Sequence, residues 1–138
     1  MGYTRYYEIK NPLDSEKFKN FSKSCRVLTE MVTEKWGEGI SDWRGEGDPV
    51  FSDTEVCFNG IGINSCETFR IRSSDLGFSF TKTNLNYYDR HVFVCLILAK
   101  IYFEDSIRIK SDGIGLGEDI RSWVDEIIRD QKIDSILD

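Results

Sequence analysis

The sequence has few of the residues with which enzymes usually carry out chemistry. It holds one histidine, His91, and its four cysteines, Cys25, Cys57, Cys66 and Cys95, form no Cys-x-x-Cys pair. A zinc site is not expected, because His91 would supply only one ligand. Cys25 and Cys95 fall on apolar helix faces, so we expect buried free thiols in a reducing compartment. No histidine, cysteine or carboxylate pair is spaced for catalysis.

Long apolar runs and a basic surplus are missing too. No stretch approaches the roughly 18 apolar residues of a membrane span, and the first residues lack the basic and apolar regions of a signal peptide. The net charge is −6, from 18 Lys and Arg against 24 Asp and Glu, which argues against a general DNA or RNA binder. We therefore expect one cytoplasmic domain over residues 1–138, with neither a membrane nor a nucleic-acid polymer as partner.

The charge is unevenly distributed. Residues 37–56 hold six acidic residues and one basic residue, and residues 112–138 hold eight acidic and three basic residues. The remaining chain has ten acidic against fourteen basic residues, a net charge of +4. A small anion is therefore an acceptable ligand for this remainder, although a polynucleotide would be repelled by the chain as a whole.

Hydrophobic periodicity predicts an α+β fold. Alternating segments bounded by Gly, Asn and Pro indicate strands, segments with apolar residues at helical spacing indicate helices, and the Gly-rich residues 37–50 indicate a long loop. The predicted order β-α-β-β-β-α-β-α gives three helices and one mostly antiparallel sheet of about five strands. The strands are at 3–9, 54–59, 67–72, 78–82 and 106–110, the middle three forming a meander; the helices are at 16–36, 88–103 and 118–130, and 131–138 is a tail.

The second predicted helix is apolar on nearly every side. Such a helix must be covered by the sheet on one side and by other helices or another subunit on the other. The third predicted helix also has an apolar face, with Trp123 and Ile127. Apolar surface left over from this packing favours a homo-oligomer.

Short polar clusters stand at the edges of the predicted elements. They combine hydroxyls, amides, aromatic rings and a few cations, which suit holding a polar aromatic ligand better than reacting with it. The clusters are Tyr3-Thr4-Arg5-Tyr6-Tyr7, Phe58-Asn59-Gly60, Glu67-Thr68-Phe69, Phe80-Thr81-Lys82-Thr83, Tyr88-Asp89 and Ser111-Asp112-Gly113.

Several residues in these clusters allow more than one interpretation. Glu67 can accept two base-edge donors and Lys82 can meet a phosphate, but the two also suit an ordinary cross-strand ion pair. Asp89 suits a ligand contact and equally a helix cap. Gly113, Gly115 and Gly117 are spaced like a phosphate loop but lack its Gly-Lys-Ser/Thr, so a flexible connection is the simpler explanation.

Taken in order, the clusters resemble a widespread family of small, largely uncharacterised bacterial and phage proteins. That family has Tyr-Thr-His-Tyr-Trp near its start, then Phe-Asn-Gly, Glu-Thr-Phe, Phe-Cys-Lys-Thr with Pro-Tyr-Asp, and Ser-Ser-Asp-Gly. The match covers about residues 1–113. In this chain Arg5, Tyr7, Thr81, Tyr87 and Lys110 replace the His, Trp, Cys, Pro and first Ser, and losing the His weakens the idea of a shared catalytic base.

The chain also resembles the phage sponge proteins of the anti-CBASS type. This resemblance implies a phage protein that binds and sequesters a cyclic dinucleotide, such as a cyclic GMP-AMP, without turnover and without a cofactor or metal. A base can stack on Tyr3, Tyr6, Tyr7, Trp43 and Tyr88, although core packing is the more common role for any one of these rings.

The predicted ligand contacts fall into three groups by their chemistry. The candidate contacts are Tyr3, Tyr7, Trp43 and Tyr88 for stacking; Arg5, Arg44 and Lys82 for phosphate; and Asn59, Glu67, Thr68, Thr83 and Asp89 for base or ribose.

Two alternatives to a ligand-binding protein stay open. One is an enzyme that modifies or hydrolyses a nucleotide with Glu67 or Asp89 as base, and the other is a structural or protein-binding adaptor without a small ligand.

Overall fold

The computed structural model describes residues 3–112 and 117–129, and it confirms the predicted α+β class with three helices. The predicted tail at 131–138 and the glycines at 113 and 115 lie outside the described residues. The strands are β1 (Thr4–Ile9), β2 (Ile40–Ser41), β3 (Val50–Phe51), β4 (Glu55–Gly60), β5 (Phe69–Arg72), β6 (Gly77–Lys82) and β7 (Ile107–Ser111); the helices are α1 (Ser15–Trp36), α2 (Asp89–Phe103) and α3 (Gly117–Arg129).

The strands form two antiparallel sheets, which corrects the prediction of one sheet. The first has the order β6-β1-β7; in the second, β4 pairs with β2, β3 and β5. The predicted meander stops after β5, because β6 pairs with β1 over six residues instead, from Thr4 opposite Lys82 to Ile9 opposite Gly77. The predicted loop at 37–50 contributes β2 and β3, which give β4 further partners.

The first helix follows its sequence signals closely. Asp14 caps α1 by accepting a hydrogen bond from the backbone N–H of Lys17 at 2.9 Å. Gly37 ends the helix with a φ of 92°, a conformation that glycine adopts without strain. The buried face of α1 includes Phe18, Phe21, Cys25, Leu28 and Val32.

The second helix is the centre of the molecule. All residues of α2 from Val92 to Ala99 are buried within one chain, since α2 packs against α1, α3 and β7. The apolar character of this helix therefore does not call for a second subunit, and that part of the argument for a homo-oligomer is corrected.

The first sheet has one covered face and one open face. Along β1, Arg5, Tyr7 and Ile9 are buried, while the alternate residues Tyr6 and Glu8 point the other way. We call the open side the outer face; its side chains are those of Thr4, Tyr6, Glu8, Phe78, Phe80, Lys82, Arg108 and Lys110.

None of the helices in residues 3–112 and 117–129 is long and apolar enough to cross a membrane.

Candidate functional site

The polar clusters meet where the ends of the first sheet adjoin the start of α2. Arg5 lies at the centre of the contact and binds Asp89 through two hydrogen bonds, from Nε to Oδ1 at 3.0 Å and from Nη2 to Oδ2 at 2.7 Å. Arg5 Nη1 also donates to Ser111 Oγ at 2.7 Å. Thr83 Oγ1 donates to Asp89 Oδ1 at 2.6 Å. The four side chains therefore form one charge-assisted network.

The charged pair of this network is sealed from solvent. The side chains of Arg5 and Asp89 are 2% and 0% exposed, and the guanidinium carbon lies 4.0 Å from the ring centre of Phe93 and 5.1 Å from that of Tyr3. The ligand contacts predicted for Arg5, Thr83 and Asp89 are corrected accordingly, because their polar atoms bind one another. Asp89 is equally shielded from acting as a base. It does not cap α2 either, because its carboxylate binds Arg5 and Thr83, and the N-cap residue Tyr88 makes no side-chain cap hydrogen bond.

Asn59 joins a second group of loop residues through hydrogen bonds. Its Nδ2 donates to the carbonyl of Cys66 at 2.9 Å and to Thr68 Oγ1 at 3.3 Å, while its Oδ1 accepts the N–H groups of Gly60 and Cys66. A Cβ at Gly60 would collide with the backbone of Asn64, so the Asn-Gly pair is required by packing. The predicted base contact of Asn59 is thus replaced by a structural role, and Thr68 is partly engaged by the same group.

Three of the predicted stacking rings are part of the core. Tyr3, Tyr7 and Tyr88 are buried, and the hydroxyls of the last two donate to the carbonyls of Arg70 and Glu67 respectively. Burial raises the pKa of both hydroxyls above the usual tyrosine value. No face of these rings is open to a base, so their predicted stacking role is corrected.

Four predicted contacts are exposed. Trp43 is 61% exposed, and Arg44 pairs with Asp42 at 2.8 Å in the same loop. The hydrogen bond from Arg44 is the main reason that the pKa of Asp42 falls to about 2. Glu67 accepts the backbone N–H of Lys82 at 2.7 Å, so these two residues meet through the backbone and make no side-chain ion pair.

Lys82 belongs to the outer face, where the exposed rings of Phe78 and Phe80 form a cluster with the half-buried ring of Tyr6. The centroid of Tyr6 lies 6.0 Å from that of Phe78 and 6.4 Å from that of Phe80, and the two phenylalanines are 6.3 Å apart. Phe78 and Phe80 are 64% and 53% exposed. We call these three residues the aromatic trio; large apolar side chains that are exposed as a group are uncommon on a folded chain.

Cations flank the aromatic trio on both sides. Lys82 extends from β6 beyond Phe80, and Lys110 of β7 stands directly opposite Tyr6. Among the described residues, neither lysine makes a side-chain ion pair or hydrogen bond. Arg108 pairs with Glu8 at 2.9 Å. The outer face therefore carries two uncompensated positive charges beside a stacking surface.

A broad depression opens over the β1–β7 side of this face. Its volume is about 550 Å³, and its lining includes Tyr6, Phe78, Arg108, Lys110 and Asp112. Ligand pockets for small molecules commonly have volumes of about 300–1,000 Å³. In residues 3–112 and 117–129, no three His, Cys, Asp or Glu side chains are grouped so as to hold a metal ion.

Sequence reasoning missed much of the outer face. Phe78, Arg108 and Lys110 lie in none of the polar clusters, and Tyr6 and Phe80 stand in clusters that mix buried residues with residues of the outer face. The available signal was the alternation of side-chain direction along β1, β6 and β7, which puts these residues on one side of each strand. Only the pairing of β6 with β1 brings the three sides together, and no residue pattern predicted that pairing.

Comparison of the chain with family models, curated proteins and solved structures found no match. The resemblance of the polar clusters to the bacterial and phage family, and to the sponge proteins, therefore stays a prediction.

Proposed function

We propose that the outer face binds a cyclic dinucleotide and holds it without turnover. The observation that carries the proposal is the aromatic trio standing between two lysines without acidic partners. Base–aromatic stacking contributes about 1–3 kcal/mol per base, and a hydrogen bond to a charged group contributes about 1.5–3 kcal/mol. A ligand with two bases and two phosphates uses both kinds of contact at once.

Charge favours an anion over a second copy of the chain on this surface. Two outer faces packed together would bring Lys82 and Lys110 close to like charges, which disfavours association. A cyclic dinucleotide has the opposite charge, and the depression beside Tyr6 is large enough for a substantial part of it.

The chemistry of the outer face supports sequestration over catalysis. Its groups are rings, cations, a hydroxyl and two carboxylates; Glu8 is already paired with Arg108, and Asp112 accepts the backbone N–H of Thr4. The single histidine lies elsewhere, is buried, and has a pKa lowered to about 4 mainly by burial. Bound ligand would be withdrawn from the cytoplasm of an infected bacterium, and host antiviral signalling would be blocked.

We also propose that the protein is a homo-oligomer, which assembles through exposed loops and not through α2. Trp43, Ile63, Leu85 and Tyr87 are 61%, 99%, 40% and 52% exposed. They stand on three loops that hydrogen bonds tie together, from Gly62 N to Gly45 O and from Asn86 Nδ2 to Asn64 O. We call these four residues the loop patch. A contact between copies through the loop patch would leave the outer face open to ligand.

The test is depletion of cyclic dinucleotides from solution, followed by heating of the protein and chromatography of what it releases. We expect depletion in proportion to protein and recovery of intact ligand. Phe80→Ser and Lys82→Ala should each weaken binding at least tenfold, whereas Leu76→Ser, which removes a 62% exposed apolar side chain outside the outer face, should not.

Three other results of this experiment would decide against the proposal. Ligand that returns altered, with substoichiometric protein consuming an excess, would indicate an enzyme. No depletion by a folded protein would favour the adaptor alternative. Binding that survives both substitutions on the outer face would move the site elsewhere.

A further inference from the structure

Asp112 is the second carboxylate, besides Glu8, that lines the depression on the outer face. Asp112 follows β7 directly, is exposed, and lines the depression together with Lys110. Its Oδ2 accepts the backbone N–H of Thr4 at 3.1 Å, and Asp112 N donates to the carbonyl of Thr4 at 3.0 Å. These two bonds fix the position of the carboxylate beside β1, and the described structure gives Oδ1 no partner.

Asp112 and Lys110 are spaced like complementary partners for one edge of a base. Lys110 and Asp112 both line the depression, and two residues of extended chain separate their backbones by about 7 Å. Lys110 stands opposite Tyr6 in the register of β1 and β7. A base stacked on the Tyr6 ring would therefore present its edge to an ammonium donor and a carboxylate acceptor side by side.

Guanine matches this pair and adenine does not. Guanine has N–H donors at N1 and N2 next to the O6 and N7 acceptors, so the carboxylate and the ammonium can both be satisfied. Adenine has an unprotonated N1 where guanine has a donor, and an amino group where guanine has O6. Its N1 would face the carboxylate, and its amino group would face the ammonium, so both contacts would be repulsive.

We propose that Asp112, with Lys110, makes the outer face select guanine in the ligand. This inference rests on the proposed function, because it names the base that the same surface holds against Tyr6. Asp112 supplies specificity, while the aromatic trio and the lysines supply most of the affinity.

The experiment measures the affinity of the full chain for a cyclic dinucleotide with two guanines and for the analogue with two adenines. The wild type should prefer the guanine ligand by about tenfold or more, which a matched base-edge contact commonly provides. Asp112→Asn should lose most of that preference, because the amide places a donor where the N–H groups of guanine require an acceptor. The amide oxygen can still accept the Thr4 N–H, so the fold is retained.

The control is Asp105→Asn, which removes the same charge from an exposed position outside the outer face and should leave the preference unchanged. Equal affinity of the wild type for the two ligands, or an unchanged preference in Asp112→Asn, would overturn the guanine inference while the proposed function stands. Binding of neither ligand would overturn both.

Discussion

At the scale of single residues, the buried pair of Arg5 and Asp89 is the most consequential feature. Each charge is removed from water and is compensated only by the other and by hydroxyl groups. A buried charge that loses its partner is costly, because the low-dielectric interior solvates it poorly.

We predict that Arg5→Ala lowers the free energy of unfolding by about 3–5 kcal/mol, because Asp89 is left buried and unpaired. Urea denaturation followed by circular dichroism gives the difference. The matched control is Arg108→Ala, which breaks the exposed pair with Glu8 and should cost about 1 kcal/mol or less. Similar losses for the two variants would show that burial does not set the cost.

The cysteines differ in accessibility, which gives a second prediction. Cys25, Cys57 and Cys95 are buried, whereas Cys66 is half-buried, and burial is the largest of the causes that raise the pKa of the Cys25 thiol. The thiolate is the reactive form. A thiol reagent should therefore label one cysteine rapidly in the native chain and all four only after unfolding.

Mass spectrometry of the labelled protein identifies the site, and Cys66→Ser should abolish the rapid phase. Rapid labelling of a second cysteine in the native chain would contradict the burial of the other three.

At the scale of elements, α1 and α2 are joined by a buried histidine. His91 of α2 lies with its Nε2 3.0 Å from Thr33 Oγ1 of α1, and burial is the main cause that lowers its pKa from 6.5 to about 4. The folded chain thus holds this ring neutral at pH values where the unfolded chain protonates it. Stability from this group is complete above about pH 6.5 and is lost as the pH falls toward 4.

We predict that acidification from pH 6.5 to 4 removes about 3 kcal/mol of stability through His91 alone. Urea denaturation across this range should show a steeper loss for the wild type than for His91→Gln, which cannot be protonated. Parallel pH profiles of the two proteins would exclude the histidine as the cause.

The elements also show how far sequence reasoning reached. The helices were predicted almost to the residue, since apolar spacing and the signals at Asp14 and Gly37 are local. The pairing of β6 in a meander was predicted wrongly, because strand pairing depends on residues far apart in the chain. The same limit applies to the site. The hydroxyls and amides of Asn59 and Thr83 suggested a ligand, but only the fold shows that they bind their neighbours.

At the scale of the whole molecule, the exposed apolar side chains include two groups, one on the outer face and one in the loop patch. The outer face carries the cations Lys82 and Lys110, and the loop patch includes Ile63, which is 99% exposed. Large exposed apolar groups gathered in one place usually mark an interface. The two surfaces are thus suited to different partners, one to an anion and the other to protein.

We predict that the protein is a homo-oligomer through the loop patch. Light scattering at micromolar concentration should give a multiple of the 16.0 kDa chain mass, with or without ligand. Ile63→Asp should shift the mass toward the monomer because it places a charge in the contact, whereas Ile101→Asp, at a 42% exposed position on α2, should not. A monomer mass for the wild type would contradict the predicted homo-oligomer.

The central place of β1 in the first sheet has a consequence for how the chain is made. β1 is synthesised first, yet both strands that flank it, β6 and β7, come much later in the chain. At about 5–20 residues per second, the ribosome needs roughly 3–14 s to reach β6 after completing β1, and longer still to reach β7. During this interval both edges of a tyrosine-rich segment are unpaired and able to join another nascent chain. Cells that translate this protein slowly, or from truncated messages, should therefore accumulate it in chaperone-bound or insoluble form.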